Sequence, residues 1–171
     1  MELSLGLLIV RLVVGLAMAA HGAQKLFGWF GGIGVAGTGQ FFDSIGFRPG
    51  RVMAVLAGLS EFVGGLVVAF GLLGPVGPAL MVAVMVTAAG SVHWSNGFFA
   101  MVNGIEVPLL YGATAVGLAF TGPGAYSLDA LFGFARIWTP DMILGALAVG
   151  VLGGIGNLVA RSVSTNAVAS A

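Results

Sequence analysis

Long apolar runs are the feature that most restricts how this chain can fold. A bilayer core about 30 Å thick is crossed by roughly 20 apolar residues of helix, and five runs approach that length: 3–20, 52–73, 76–92, 107–120 and 142–160. Hydrophobic residues make up 58% of the chain and charged residues 7%, against about 25% charged residues in soluble domains. We therefore expect an all-α integral membrane helical bundle, with four core transmembrane helices and an additional C-terminal one.

The composition also excludes several functions. Six Lys and Arg residues balance six Asp and Glu residues, so the chain lacks the basic surface expected of a nucleic-acid-binding protein. It has no Cys, which excludes disulfides, thiolate metal sites and a thiol relay within the chain. The first run resembles a signal peptide, but its only early charge is Glu2 and Arg11 interrupts it, so we interpret it as a span.

The segments between the runs predict short helices at the membrane surface. "GTGQFFDSIG" is interpreted as an interfacial helix capped by Thr38 and ended by Gly46, and "SLDALFGF" as a second one capped by Ser127. Thr139 and Pro140 are expected to start the last span, and Pro108 fits the first turn of the short fourth span. The predicted organisation is a membrane domain at 1–129, an interfacial helix and extra span at 130–160, and a flexible tail at 161–171.

Five spans place the ends of the first and third spans on one membrane face, here called the His21 face. Lys25, Arg48, Arg51 and Arg161 lie on this face, and Arg136 lies on the other. The positive-inside rule therefore predicts that the His21 face is cytoplasmic. The expected location is a prokaryotic inner membrane, which the protein crosses several times.

Two charges occur near the middle of predicted spans. Arg11 lies in the first span and Glu61 in the second, and a charged side chain at that depth costs at least about 2.5 kcal/mol. Each is expected to face the bundle interior, and we predict that they pair with each other. The pair can be a structural ion pair that docks the two helices, or it can take part in ligand or proton handling.

Further polar and aromatic residues gather at the His21 face. They are His21, Gln24, Lys25, Trp29, His93, Trp94, Asn96 and Glu106. Such a layer can donate hydrogen bonds to the carbonyls of a quinone whose apolar tail lies in lipid. Two histidines on one face can instead ligate a haem iron or help to hold a metal. Each residue taken alone is also typical of an interfacial anchor.

Other sequence features are interpreted as packing. Met81 and Met85 lack a further soft ligand at suitable spacing, so we expect them in the core or against lipid rather than on a metal. Ala146, Gly150 and Gly154 form a ladder of small residues on the last span. This ladder predicts close helix packing, either within the bundle or in a homodimer.

The chain resembles the DoxX family of small membrane proteins. The resemblance rests on Arg11, "HGAQKLFGWFGG", "GTGQFFDSIGFRP", Glu61 before "GG", His93 before "GFF", "NGIE" and "GPGAYSLD", and it extends from about residue 5 to 129. The positions that match the family pattern are Arg11, His21, Gly22, Lys25, Glu61, His93 and Glu106. The resemblance implies a core of four transmembrane helices and a link to thiosulfate:quinone oxidoreductase or to oxidative-stress enzymes. The last span is an addition to that pattern.

Three functions are consistent with these features. The first is a membrane subunit of a redox system, a possible quinone-linked oxidoreductase subunit. Here His21, Lys25, His93 and Glu106 would act on the ligand, and Arg11, Glu61, Gln24, Trp29, Trp94 and Asn96 would help to bind it. The second is a non-enzymatic anchor for soluble enzymes of the sulfurtransferase or superoxide dismutase type. The third is a carrier of a small polar or anionic molecule with Arg11 as the countercharge.

Overall fold

Apolar helices make up most of the structure, a computed structural model that describes the backbone of residues 1–169 and the side chains of residues 1–165. Within that range the α-helices are α1 (Glu2–Phe27), α2 (Gly34–Ser44), α3 (Gly50–Phe70), α4 (Val76–Ala88), α5 (Glu106–Thr121), α6 (Leu128–Leu131) and α7 (Pro140–Ala169). The described range contains no strand. The expected all-α membrane bundle is confirmed.

Among the described residues, four helical stretches are long and apolar enough to cross a membrane: Glu2–Phe27, Gly50–Phe70, Val76–Asn96 and Pro140–Thr165. The third consists of α4 followed by a π-helical turn at Ala89–His93 and a 3-10 turn at Trp94–Asn96. α5 is shorter, as predicted, with 16 residues. α1 continues past the predicted end at Ala20, so His21 and Lys25 lie on its last two turns.

The predicted helix ends agree with the structure in part. The Ser127 hydroxyl accepts a hydrogen bond from the Ala130 amide, and the Thr139 hydroxyl accepts one from the Met142 amide. The predicted Thr38 cap is wrong: α2 begins at Gly34, and Thr38 is buried inside the helix. The region predicted as a tail is helical to Ala169, and residues 170–171 of it lie outside the described residues.

α1 and α3 pack antiparallel with their backbones in direct contact. A Cβ at Gly15 would lie 2.6 Å from the Ala69 nitrogen and the Gly65 oxygen, and a Cβ at Gly65 would lie 2.5 Å from the Ala19 nitrogen. Side chains cannot fit between helices at this separation. Glycines therefore allow the backbones of α1 and α3 to touch, which positions α1 residues against α3.

The other helices pack around this pair. Met18 of α1 and Met81 of α4 are fully buried, and with them lie residues of α3, α5 and α7; Met81 therefore belongs to the core, as predicted. α7 packs on α4, because Gly150 and Gly154 lie directly against Ala79 and Ala83. The predicted ladder of small residues thus packs inside the bundle.

Candidate functional site

A cavity of about 470 Å³ lies between α2 and α4, with α3 as its floor and α7 at one edge. Its volume is within the range of small-molecule sites. Most of the wall is apolar: Phe41, Phe42, Ile45, Phe47, Met53, Leu56, Ala57, Ala83, Val84, Ala88 and Val92. The polar lining residues are Lys25, Ser60, Glu61, Thr87, Ser91, His93, Asn103 and Asn157. We call this cavity the Glu61 pocket.

An ion pair forms part of the wall of the Glu61 pocket. The Lys25 Nζ atom lies 2.5 Å from the Glu61 Oε2 atom, and the Glu61 side chain is 5% exposed. Lys25 is on the last turn of α1, and Glu61 is in the middle of α3. Gly58, one turn before Glu61, allows the approach because a Cβ there would lie 3.3 Å from the Lys25 Cβ. The pair is thus held by the glycine contact between the two helices.

The predicted Arg11–Glu61 pair is wrong. Arg11 donates to the carbonyl of Ala69 at 3.1 Å and to the carbonyl of Tyr126 at 2.5 Å. In the antiparallel register of α1 and α3, Arg11 lies opposite Ala69, about 12 Å along the helix from Glu61. Ala69 is in the last turn of α3, where carbonyls lack helical partners and the helix dipole favours a positive charge. Arg11 therefore caps α3 away from the Glu61 pocket.

Asp129 is a third buried charged residue, and the sequence did not predict that it would be buried or hydrogen-bonded to a distant turn. Its carboxylate accepts hydrogen bonds from the Leu73 amide, the Gly74 amide and the Trp138 indole at 2.7 to 2.9 Å. The side chain is fully buried. Asp129 thus fixes the turn between α3 and α4. An acidic residue in so apolar a chain was the available signal, but its two amide partners, Leu73 and Gly74, are more than 50 residues away in sequence.

His93 lines the pocket at the His21 face. Its Nδ1 atom lies 2.8 Å from the Asn103 carbonyl oxygen; the carbonyl can only accept, so Nδ1 carries the hydrogen. In the neutral ring Nε2 is then an acceptor. His93 ends the π-helical turn of the third long span, a deviation that is frequent at functional sites. This turn gives the pocket a polar rim.

Several predicted site residues lie outside the wall of the Glu61 pocket. His21 lies against Tyr111 of α5, with ring centroids 6.0 Å apart, and its Nδ1 atom is 3.3 Å from the Gln24 Oε1 atom. Gln24 donates to the Phe30 carbonyl. Trp29 and Trp94 are both more than half exposed. These residues surround the pocket's end of the bundle without lining the cavity.

Glu106 and Asn96 form hydrogen bonds that stabilise the loop at residues 97–105, beside His93. The Glu106 Oε2 atom accepts a hydrogen bond from the Ala100 amide at 2.7 Å. Asn96 donates to the carbonyls of Val92 and Asn103. Asn103 is also the partner of His93, so this loop sets the orientation of the histidine ring. Of the predicted residues, the cavity wall brings together Lys25, Glu61 and His93.

Sequence reasoning missed the hydroxyl and amide groups of the pocket. Ser60, Thr87, Ser91 and Asn157 are isolated polar residues within apolar runs. Among the described residues, no three His, Cys, Asp or Glu side chains lie close enough together to hold a metal ion. The pocket therefore combines one ion pair, neutral hydrogen-bonding groups and aromatic rings.

Comparison with known proteins identifies the family. The sequence model of the DoxX family matches residues 6–94, just over half of the chain. "Putative oxidoreductase CatD" of Bacillus subtilis (strain 168) is 31% identical over 125 residues, which cover 73% of this chain and 85% of CatD. "Inner membrane protein YqjF" of Escherichia coli (strain K12) is 34% identical over 130 residues, 74% of this chain and 91% of YqjF.

No solved structure matches the chain. Lys25, Glu61 and His93 all lie within the segment that the family model matches. The family match, the two relatives and the apolar helices agree with one another. This chain is a multi-pass membrane protein of the DoxX family.

Proposed function

We propose that this protein is the membrane subunit of a redox system and binds a quinone, or a similar redox-active small molecule, in the Glu61 pocket. The observation that carries the proposal is a cavity of about 470 Å³, in an apolar bundle, with the Lys25–Glu61 ion pair in its wall. Polar and ionised groups inside a membrane are expensive and are usually functional. An apolar core needs neither the cavity nor the pair.

The chemistry of the pair suits both redox forms of such a ligand. The Lys25 ammonium group donates hydrogen bonds and fits the carbonyl oxygen of a quinone. The Glu61 carboxylate accepts them and fits the hydroxyl group of a quinol. Phe41, Phe42 and Phe47 supply aromatic surface for the ring. His93 is a second hydrogen-bonding group at the rim.

The relatives support the redox class and the location. CatD carries an oxidoreductase name and YqjF an inner-membrane name. Accordingly, we assign the chain to a bacterial inner membrane. Because the chain has no Cys, it has no thiols of its own to supply electrons. In this proposal it supplies the binding site, and a partner enzyme supplies the electrons. Soluble sulfurtransferase-type or superoxide dismutase-type enzymes are the candidate partners.

Equilibrium dialysis of the protein in lipid nanodiscs with 1,4-naphthoquinone tests the proposal. The wild type should bind, and Glu61→Gln combined with Lys25→Met should weaken binding about 10- to 100-fold, because charge-assisted hydrogen bonds are lost. The double variant leaves no unpaired charge behind, so its thermal unfolding should remain cooperative. Glu2→Gln, at an exposed carboxylate, is the matched control.

Two results would contradict the proposal. One is a wild-type protein that binds no naphthoquinone and carries no quinone when extracted with its native lipids. The other is a folded double variant that binds as tightly as the wild type. In either case the Glu61 pocket would not be the quinone site.

A further inference from the structure

The Glu61 pocket has a second group of polar side chains on the side formed by α4 and α7. Thr87 is on α4 and Asn157 is on α7, and both line the cavity. The Asn157 Nδ2 atom lies 3.4 Å from the Thr87 Oγ1 atom, a long hydrogen bond. Thr87 itself donates to the Ala83 carbonyl at 2.9 Å. Thr87 therefore acts as the acceptor of this contact.

Most of the hydrogen-bonding capacity of Asn157 is unused by the side chains that the structure describes. The amide has two N–H hydrogens and a carbonyl oxygen with two lone pairs, and the Thr87 contact uses one hydrogen. Asn157 lies within the long apolar stretch Pro140–Thr165, where an amide is costly. Asn157 is exposed, and it is one of the residues that line the cavity. A ligand in the pocket is the natural partner for the remaining groups.

The two polar groups lie at different depths of the same cavity. Gly64 of α3 packs against Leu80 of α4, since a Cβ at Gly64 would lie 3.1 Å from the Leu80 Cβ. In this antiparallel register Glu61 lies level with Ala83. Thr87 is one turn further along α4, about 6 Å toward the His21 face. The ion pair is therefore the deeper group, and Asn157 with Thr87 is the shallower one.

We infer that Asn157, with Thr87, is the second hydrogen-bonding end of the pocket. The ligand is then a flat ring with oxygens at opposite edges, as in a para-quinone and its hydroquinone. An amide can donate to a carbonyl and accept from a hydroxyl, so it serves both redox forms. This inference rests on the proposed function and adds the class of ring.

The inference also gives a role to the last helix. α7 lies beyond the residues matched by the family model, which end at residue 94. Among the described residues, Asn157 is the one that α7 contributes to the cavity wall. The ion pair lies within the matched segment. On this view the matched segment supplies the charged end of the site, and α7 supplies a residue that determines ligand specificity.

Two ligands, one with two carbonyls and one with a single carbonyl, test this role. 1-Tetralone keeps the bicyclic skeleton and one carbonyl of 1,4-naphthoquinone but lacks the second carbonyl and the neighbouring ring double bond. By equilibrium dialysis in nanodiscs, Asn157→Leu should weaken naphthoquinone binding about three- to tenfold and leave tetralone binding unchanged. Thr87→Val should act in the same direction with a smaller effect. Thr114→Val, which removes a hydroxyl bonded to its own helix on α5, should affect neither ligand.

The outcomes separate this inference from the proposed function. If Asn157→Leu and Thr87→Val bind both ligands as the wild type does, or lose both equally, Asn157 is not the second end. This holds whether or not the Glu61 double variant loses naphthoquinone binding. If the wild type binds neither ligand, the proposed function and this inference both fail. Should Asn157→Leu unfold, the Thr87→Val comparison decides.

Discussion

Arg11, Glu61 and Asp129 are the three buried charged side chains among those that the structure describes. Each is stabilised in a different way. Glu61 pairs with Lys25, Arg11 binds main-chain carbonyls, and Asp129 binds two amides and an indole. Arg11 binds the last turn of α3, and Asp129 binds the connection that follows it, so both serve the fold. Glu61 faces a cavity of about 470 Å³, whereas Arg11 borders a space of only about 10 Å³, and this difference sets Glu61 apart.

Arg11→Gln is expected to destabilise the protein without changing the Glu61 pocket. The variant shortens the side chain and removes charge-assisted hydrogen bonds to Ala69 and Tyr126, which are worth about 1.5 to 3 kcal/mol each. Thermal unfolding in detergent should shift downward by several degrees. Naphthoquinone binding at a temperature where the variant is folded should equal that of the wild type.

Arg136→Gln is the control for the Arg11 variant, because Arg136 is exposed and its replacement should change neither stability nor binding. A folded Arg11→Gln protein of wild-type stability that no longer binds naphthoquinone would reverse the assignment. Arg11 would then be part of the ligand site, as the sequence alone suggested.

At the scale of helices, the contact between α1 and α3 both packs the bundle and positions the candidate site. Lipid removes most of the hydrophobic driving force between transmembrane helices, so close backbone packing is a main source of their association. Gly15 and Gly22 of α1 face Gly65 and Gly58 of α3. The same contact brings Lys25 within reach of Glu61. Helix packing and the assembly of the candidate site are therefore coupled.

Gly15→Ala and Gly65→Ala should separate α1 from α3. Each new Cβ would lie about 2.5 to 2.6 Å from main-chain atoms of the facing helix, and overpacking of this kind costs about 1 to 3 kcal/mol. Unfolding temperature should fall, and naphthoquinone affinity should fall with it because the ion pair is displaced. Both are measured on the purified variants.

Gly117→Ala on α5 is the matched control, since a Cβ there meets no atom within 4 Å. Alanine has the higher helix propensity by up to about 1 kcal/mol, so this variant should be as stable as the wild type or slightly more stable. Equal stability of all three variants would mean that α1 and α3 are further apart than the structure places them.

At the scale of the whole molecule, the sequence predicted the elements better than their contacts. Apolar length and the Ser127 and Thr139 caps predicted the helices, because those signals are local. The register of α1 against α3 depends on the intervening residues 28–49 and on glycine contacts, so Arg11 was given the wrong partner. Asn157 was missed because it lines the cavity only when α7 packs against α4, and no local sequence pattern predicts that contact.

The orientation of the molecule in the membrane remains a prediction from charge. Arg48 lies in the connection between α2 and α3, and Arg161 donates from α7 to the Ile45 carbonyl in the same region. These charges therefore gather on one face, with Arg51 close by at the start of α3. Arg136 lies between α6 and α7. The positive-inside rule favours a cytoplasmic His21 face.

Single cysteines test this orientation directly, because the chain has no Cys of its own. Ser95 and Ala135 are both exposed, and Ser95 lies beside His93 whereas Ala135 lies beside Arg136. In spheroplasts of an expressing bacterium, a membrane-impermeant maleimide should label Ala135→Cys at once and Ser95→Cys only after permeabilisation. The reverse labelling pattern would place the rim of the Glu61 pocket on the periplasmic face, and a soluble electron donor would then have to act from that side.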